Sequence, residues 1–173
     1  ALQSVCMDEH IAVIQQKLQL WTQDPRRGLV AITGDRGSGK NVLMIKLEKA
    51  LEGQTIHAPA PVGHTQPDQA LKWLAGIANV AEPKTTEDLI QSLKKMPPTV
   101  FLLSNLNRLF LRAVGHYQGL DSILEVMQAT GRHHFWVGSF HEPAWTFLQG
   151  MNHVGHVNIF SHQIHLSGMS PAD

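Results

Sequence analysis

The chain has 173 residues, 43% of them hydrophobic and 16% charged, a balance that suits one globular domain and excludes a disordered segment. Fourteen basic residues cancel fourteen acidic ones, and apart from Arg26-Arg27 and Lys94-Lys95 the basic ones are scattered, so no nucleic acid is indicated as a partner. The single cysteine, Cys6, excludes an internal disulfide framework and fits a reducing compartment, which sets the expectation of a cytoplasmic protein. No apolar run reaches the roughly eighteen residues of a membrane span and no signal peptide is visible, so this segment is expected to make no membrane contact. The chain begins at alanine and stops just after its last strand-like run. It therefore reads as a piece of a longer polypeptide whose remainder is open, membrane spans included.

In chain order, Ile11, Ile14, Leu18 and Trp21 form one helical stripe, which predicts an amphipathic helix over 7–21 that ends before Asp24-Pro25. Residues 1–24 are read as this helix and a linker, and 25–173 as the main domain. Residues 28–33 are a short β-branched run, read as a buried strand, and 42–51 show helical spacing. A second strand is expected over 54–57, and the prolines of 58–67 argue against regular structure there. Helices are expected over 68–79 and 86–95, the latter stopped by Pro97-Pro98. Residues 99–103 are the most strand-like run and deliver Ser104 and Asn105 at their C-terminal end, where ligands of open parallel sheets gather. A helix over 119–130, a strand over 134–139 ending in Ser139, a helix over 142–148, an irregular stretch over 150–159 and a strand over 161–166 complete the chain. This alternation predicts an α/β domain with a parallel sheet covered on both faces.

Between the first strand and the next helix lies Gly34-Asp35-Arg36-Gly37-Ser38-Gly39-Lys40-Asn41, followed by Val42. Gly34, Gly39 and Lys40 fit the phosphate-loop pattern G-x-x-x-x-G-K-[ST], and Gly37 adds freedom for backbone N–H groups to turn toward an anion. A helix N-terminus would then present unpaired N–H groups and partial positive charge to a phosphate, with Lys40 adding a full charge. Asn41 departs from the pattern, which asks for serine or threonine as the magnesium-binding hydroxyl. Its amide carbonyl makes Asn41 the candidate magnesium contact, with altered geometry. Among the eleven histidines, His153/His156 and His162/His165 have paired spacing, but a zinc site wants four ligands and the one cysteine is far away, so surface histidines are the reading. Cys6 on an amphipathic helix is read as a packing or surface thiol. Trp136 and Trp145 are read as packing aromatics, and Phe110 and Tyr117 as parts of a packed loop.

With the loop at 34–41, the apolar strand at 99–103 and the polar strand end at Ser139 in that order, the chain resembles the nucleotide-binding core of the AAA+ and related P-loop ATPases, over roughly residues 25–167. The resemblance implies a three-layer α/β/α P-loop NTPase fold with a five-stranded parallel sheet in the order 5-1-4-3-2. It implies ATP as ligand, held by Gly34, Asp35, Arg36, Gly37, Ser38, Gly39, Lys40, Asn41 and Val42, with magnesium as a further candidate. The family's acidic pair maps onto Ser104 and Asn105, neither a carboxylate, and its polar sensor onto Ser139. The neutral pair cannot accept a proton from water at neutral pH. The arginine that members offer to a neighbouring subunit maps onto Asn158-Ile159-Phe160, which leaves Arg108, Arg112 and Arg132 as candidates from elsewhere. The helical lid that follows the fifth strand in the family has no counterpart before Asp173.

Three readings stay open. The leading one is an ATP-binding domain with weak or absent hydrolysis, in which nucleotide acts as an effector of conformation or assembly, with a homo-oligomer or a protein as partner. The second is an active ATPase completed by another subunit or a further segment. The third is a nucleotide-free scaffold.

Overall fold

In the computed structural model, which describes residues 2–26, 28–110, 118–150 and 159–167, the apolar runs become five parallel strands. They are β1 (Leu29–Gly34), β2 (Thr55–Pro59), β3 (Val100–Ser104), β4 (Phe135–His141) and β5 (His162–Leu166). The sheet order is β2-β3-β4-β1-β5, which is the expected 5-1-4-3-2 read from the other edge. β1 and β3 are buried along their whole length, as strands covered on both faces must be, whereas the edge strands β2 and β5 are buried only in part.

Successive strand residues serve opposite faces of the sheet, and each face has its own helices. Val30, Ile32, Leu102, Val137 and Ile164 pack under α1 (Leu2–Gln23) and α2 (Lys40–Ala50), which contribute Met7, Ile14, Trp21, Leu43, Met44 and Leu47. Ala31, Phe101, Leu103 and Trp136 meet α3 (Pro67–Ala78), α4 (Thr86–Lys94) and α5 (Gln118–Thr130) through Leu74, Leu89, Leu93, Ile123 and Met127. Phe101 and Trp136, neighbours in register, stack at 4.1 Å between ring centroids. A short helix, α6 (Glu142–Gln149), follows β4 directly and sends Trp145 and Leu148 into the same cluster. Among the described residues no helix is long and apolar enough to cross a membrane.

Element boundaries moved where tertiary pairing overrode local pattern. β2 runs on through Ala58 and Pro59, which pair with Leu103 and Ser104, although prolines in 58–67 argued for irregular chain. β2 is an edge strand, and since Ala60 N–H is the next to reach β3, bonding Ser104 O at 2.8 Å, the missing N–H of Pro59 would have pointed outward. The irregular stretch expected over 150–159 lies mostly outside the described residues.

Two polar contacts lock the far end of the sheet. The Trp21 indole donates to Gly131 O at 2.7 Å, and it lies so close over Gly28 that a Cβ there would sit 2.5 Å from the indole nitrogen. The imidazole of His134 is wholly buried, accepts the Thr99 N–H at Nδ1 (3.1 Å) and donates from Nε2 to Leu93 O (2.6 Å). That pairing requires the neutral ring, and burial lowers its pKa below the ordinary 6.5. The unfolded chain takes up this proton near 6.5 and the folded chain does not. Stability from this site is therefore full above about pH 6.5 and declines as pH falls toward the folded value. His134→Leu is expected to cost about 2–4 kcal/mol at mildly alkaline pH, by orphaning one buried donor and one acceptor, and to flatten the decline. Urea midpoints measured on either side of neutrality check both outcomes.

Candidate functional site

The glycine loop turns from β1 into α2 on backbone that other residues adopt poorly. Gly37 and Gly39 have φ of 82° and 93°, and a Cβ on Gly39 would also lie 2.5 Å from Met7 Cε. Gly34 is constrained by space, since a Cβ there would lie 2.4 Å from Ser38 Oγ and 2.8 Å from Leu166 O. As N-cap of α2, Gly39 has no side chain to cap the first N–H groups, which leaves them for an anion.

Lys40, nearly buried, folds its ammonium back beneath the loop. Nζ donates to Gly34 O at 2.6 Å and Asp35 O at 2.8 Å, with Ser38 Oγ at 3.5 Å. Burial lowers its pKa, and the Asp35 and Glu142 carboxylates oppose that shift. An anion arriving at the loop would favour the charged ammonium further.

The C-terminal ends of β3 and β4 form the opposite wall. Asn105 turns out of β3 in the left-handed conformation, φ 57°, which asparagine tolerates better than most residues. Its N–H is held by Ser139 Oγ at 2.8 Å, and Asn107 Oδ1 accepts the N–H of His141 at 2.9 Å. Register sets His141 beside Gly34, so β4 delivers this imidazole at the foot of the loop. Arg108 donates from Nη1 to Ala60 O at 3.1 Å, tying the turn after β3 to the exit of β2.

Together these residues enclose a cavity of about 500 Å³ lined by Arg36, Gly37, Gly39, Lys40, Asn41, Val42, Asn105, Asn107, Arg108 and His141. Its size is that of a small-ligand site. Of the expected loop residues, Gly34, Asp35 and Ser38 stand behind Lys40 instead of lining the cavity. Of the three expected at the catalytic positions, Asn105 alone lines it. Ser139 is fully buried and acts on Asn105, and the buried Ser104 turns its hydroxyl to His57 Nε2 at 3.3 Å, while His57 Nδ1 meets Glu48 Oε2 at 2.8 Å.

Sequence reasoning missed His57, Asn107 and His141. The helical position of Glu48 and the strand position of His57 carry no spacing signal that would join them, but the two-residue step from Ser139 to His141 did place a second polar group at the same strand end. Arg108 was weighed for a neighbouring subunit and lies in the chain's own cavity. Arg132 sits before β4, at the opposite end of the sheet. Arg112, His153, His156 and Asn158 lie outside the described residues. His162 and His165, three apart on a strand, point to opposite faces, and His165 Nδ1 lies 3.0 Å from Glu142 Oε2. Among the described residues no group of three histidine, cysteine or acidic side chains is placed to hold a metal. Magnesium is usually held through one or two carboxylates alongside phosphate oxygens. Asn41 reaches the cavity, but among the described residues no carboxylate lines it with Asn41, and this donor set does not fit that ion.

No protein-family model and no curated protein matches the sequence. Solved structures do share its shape. The Aeropyrum pernix ORC1 protein in complex with DNA matches with a TM-score of 0.67 at 14% identity, over 94% of this chain and 45% of that one. A chain of the Drosophila ORC bound to AT-rich DNA and Cdc6 gives 0.53 at 10% identity, over 99% and 61%. C. elegans PCH-2 gives 0.51 at 11%, over 98% and 44%. What the chain shares with them is the α/β fold with the AAA+ strand order.

The chain spans about half the length of those chains, and identities this low carry the fold alone. One expectation is nevertheless corrected. Nucleic acid was not indicated by the charge balance, yet two of these neighbours were solved with DNA. Net charge averages over the whole surface, whereas phosphate contact needs only a few local cations.

The Asn105–Ser139 bond gives the site a checkable support. Ser139→Ala is expected to leave the Asn105 N–H without its partner and to lower stability by about 1–3 kcal/mol in urea unfolding. Ser139→Thr, which keeps the acceptor, is expected to lose less.

Proposed function

We propose that this chain is a nucleotide-binding core that holds ATP with weak or absent hydrolysis and acts within a larger protein, with nucleotide as its effector. The observation that carries the reading is the cavity: a positive-φ glycine loop, an uncapped helix N-terminus and Lys40 face three amide or guanidinium side chains, and among the described residues no carboxylate lines it. The loop residues and Lys40 are suited to cradle phosphates. Asn105, an amide, cannot serve as general base. A bound triphosphate would then favour whichever conformation or assembly grips it better, which needs differential affinity and no chemistry.

Binding and turnover on one sample test this. ATP is expected to raise the melting temperature in a concentration-dependent way while phosphate release stays negligible. Rapid release would defeat the reading, and a melting temperature indifferent to ATP and ADP would favour the scaffold. Asn41→Thr is expected to leave turnover negligible, because a restored hydroxyl supplies no base.

A second reading, an active ATPase, draws support from the chain Glu48–His57–Ser104. A carboxylate, an imidazole and a hydroxyl in sequence form a relay at the end of β3, outside the cavity lining, which takes a proton in place of the absent acid only if Ser104 is opened to the nucleotide. If that reading holds, His57→Gln abolishes whatever turnover the chain has while ATP still raises the melting temperature.

For the larger protein, the neighbours solved with DNA make nucleic acid the first partner class to test. Fluorescence anisotropy with duplex DNA, with and without ATP and across a salt series, is the measurement. An ATP-dependent, salt-sensitive rise supports this partner, and none at low salt counts against it.

A further inference from the structure

The cavity differs from a magnesium-nucleotide site in the sign of its charges. Arg36, Lys40 and Arg108 line it, and among the described residues no carboxylate does. The acids nearest Lys40 are accounted for elsewhere: Asp35 is exposed and enters the loop through its carbonyl, and Glu142 pairs with His165. Ser104, at the strand end where the resemblance expects an acid, is neutral and bonded to His57. We infer that this pocket takes ATP as the metal-free anion, with Arg108 and Arg36 neutralising the phosphate chain in place of a divalent cation. The inference rests on the reading that the cavity binds nucleotide.

Electrostatics and geometry point the same way. A divalent cation entering the cavity meets repulsion from Arg36, Lys40 and Arg108, and the Asp35 and Glu142 carboxylates that lie near Lys40 are outside the cavity lining, where they offset the charge of Lys40 without offering the cation a ligand. A guanidinium carries five N–H donors in a planar fork that matches phosphate oxygens, so one bond to Ala60 O leaves Arg108 most of its donors. That bond also fixes the end of an otherwise exposed side chain, which reduces the freedom lost when phosphate arrives. Arg36, at the tip of the loop, faces the same cavity from the other side.

Calorimetric titration with ATP, in excess EDTA and again in millimolar magnesium, tests the inference. Affinity in EDTA is expected to equal or exceed that in magnesium, and Arg108→Gln is expected to lose about tenfold or more of it, as removal of a charge-assisted phosphate contact does. Arg36→Gln, an exposed loop side chain, is expected to show a smaller loss in the same direction. An unchanged urea midpoint in Arg108→Gln separates lost binding from lost folding, and Arg108→Lys, which keeps the charge but not the fork, is expected to fall in between. Binding that appears only with magnesium overturns the inference while leaving the nucleotide reading intact. So does undiminished EDTA affinity in both arginine variants. Absence of binding in either buffer overturns both.

Discussion

Lys40 closes the loop that leads to it. By spending its donors on Gly34 O, Asp35 O and Ser38 Oγ, the ammonium holds the end of β1 and the start of α2 in one tight ring, and the positive-φ glycines let the backbone make that ring. The surrounding architecture is arranged about this point. α2 leaves the loop to pack Leu43, Met44 and Leu47 on the sheet, and α1 sets Met7 against Gly39. A buried cation is costly, and burial does lower its proton affinity, but carbonyl oxygens and two nearby carboxylates offset that cost.

The second constraint is parallel register. It aligns the C-terminal ends of β1, β3 and β4, so Gly34, Ser104 and His141 arrive at one edge of the sheet without being near in sequence. A short polar network then fixes that edge: Ser139 holds the backbone of Asn105, Asn107 holds the backbone of His141, and Arg108 holds the exit of β2. The result is a cavity with Arg36, Lys40 and Arg108 among its cations and the amides of Asn41, Asn105 and Asn107 in its walls.

Most of the fold was legible in the sequence because its strands are near-continuous apolar runs and its helices carry regular stripes, patterns set by burial itself. The extension of β2 through Pro59 was not, because tolerance of proline depends on being an edge strand, a fact of sheet order. The loop from Gly34 to Asn41 was legible because glycine position is backbone geometry written in residue type. The site's other wall was legible only in part. Ser104, Asn105 and Ser139 were found at strand ends, but which of them faces the cavity depends on the pleat and on turns such as the left-handed Asn105. His57 and Glu48 meet through the packing of α2 on β2, which no local pattern encodes. Charge balance did not point to nucleic acid, with which two structural neighbours were solved, because it sums over a surface on which only local fields matter.

Gripping of ATP without cutting is tested most directly by a single-turnover experiment. With protein in excess over a trace of radiolabelled ATP, nearly all nucleotide is bound, and the bound species can be quenched and separated at successive times. The captured nucleotide is expected to remain ATP over times far longer than dissociation and re-binding require. Conversion of bound ATP to ADP on the timescale of ordinary enzymatic turnover, about a second or faster, would contradict that expectation.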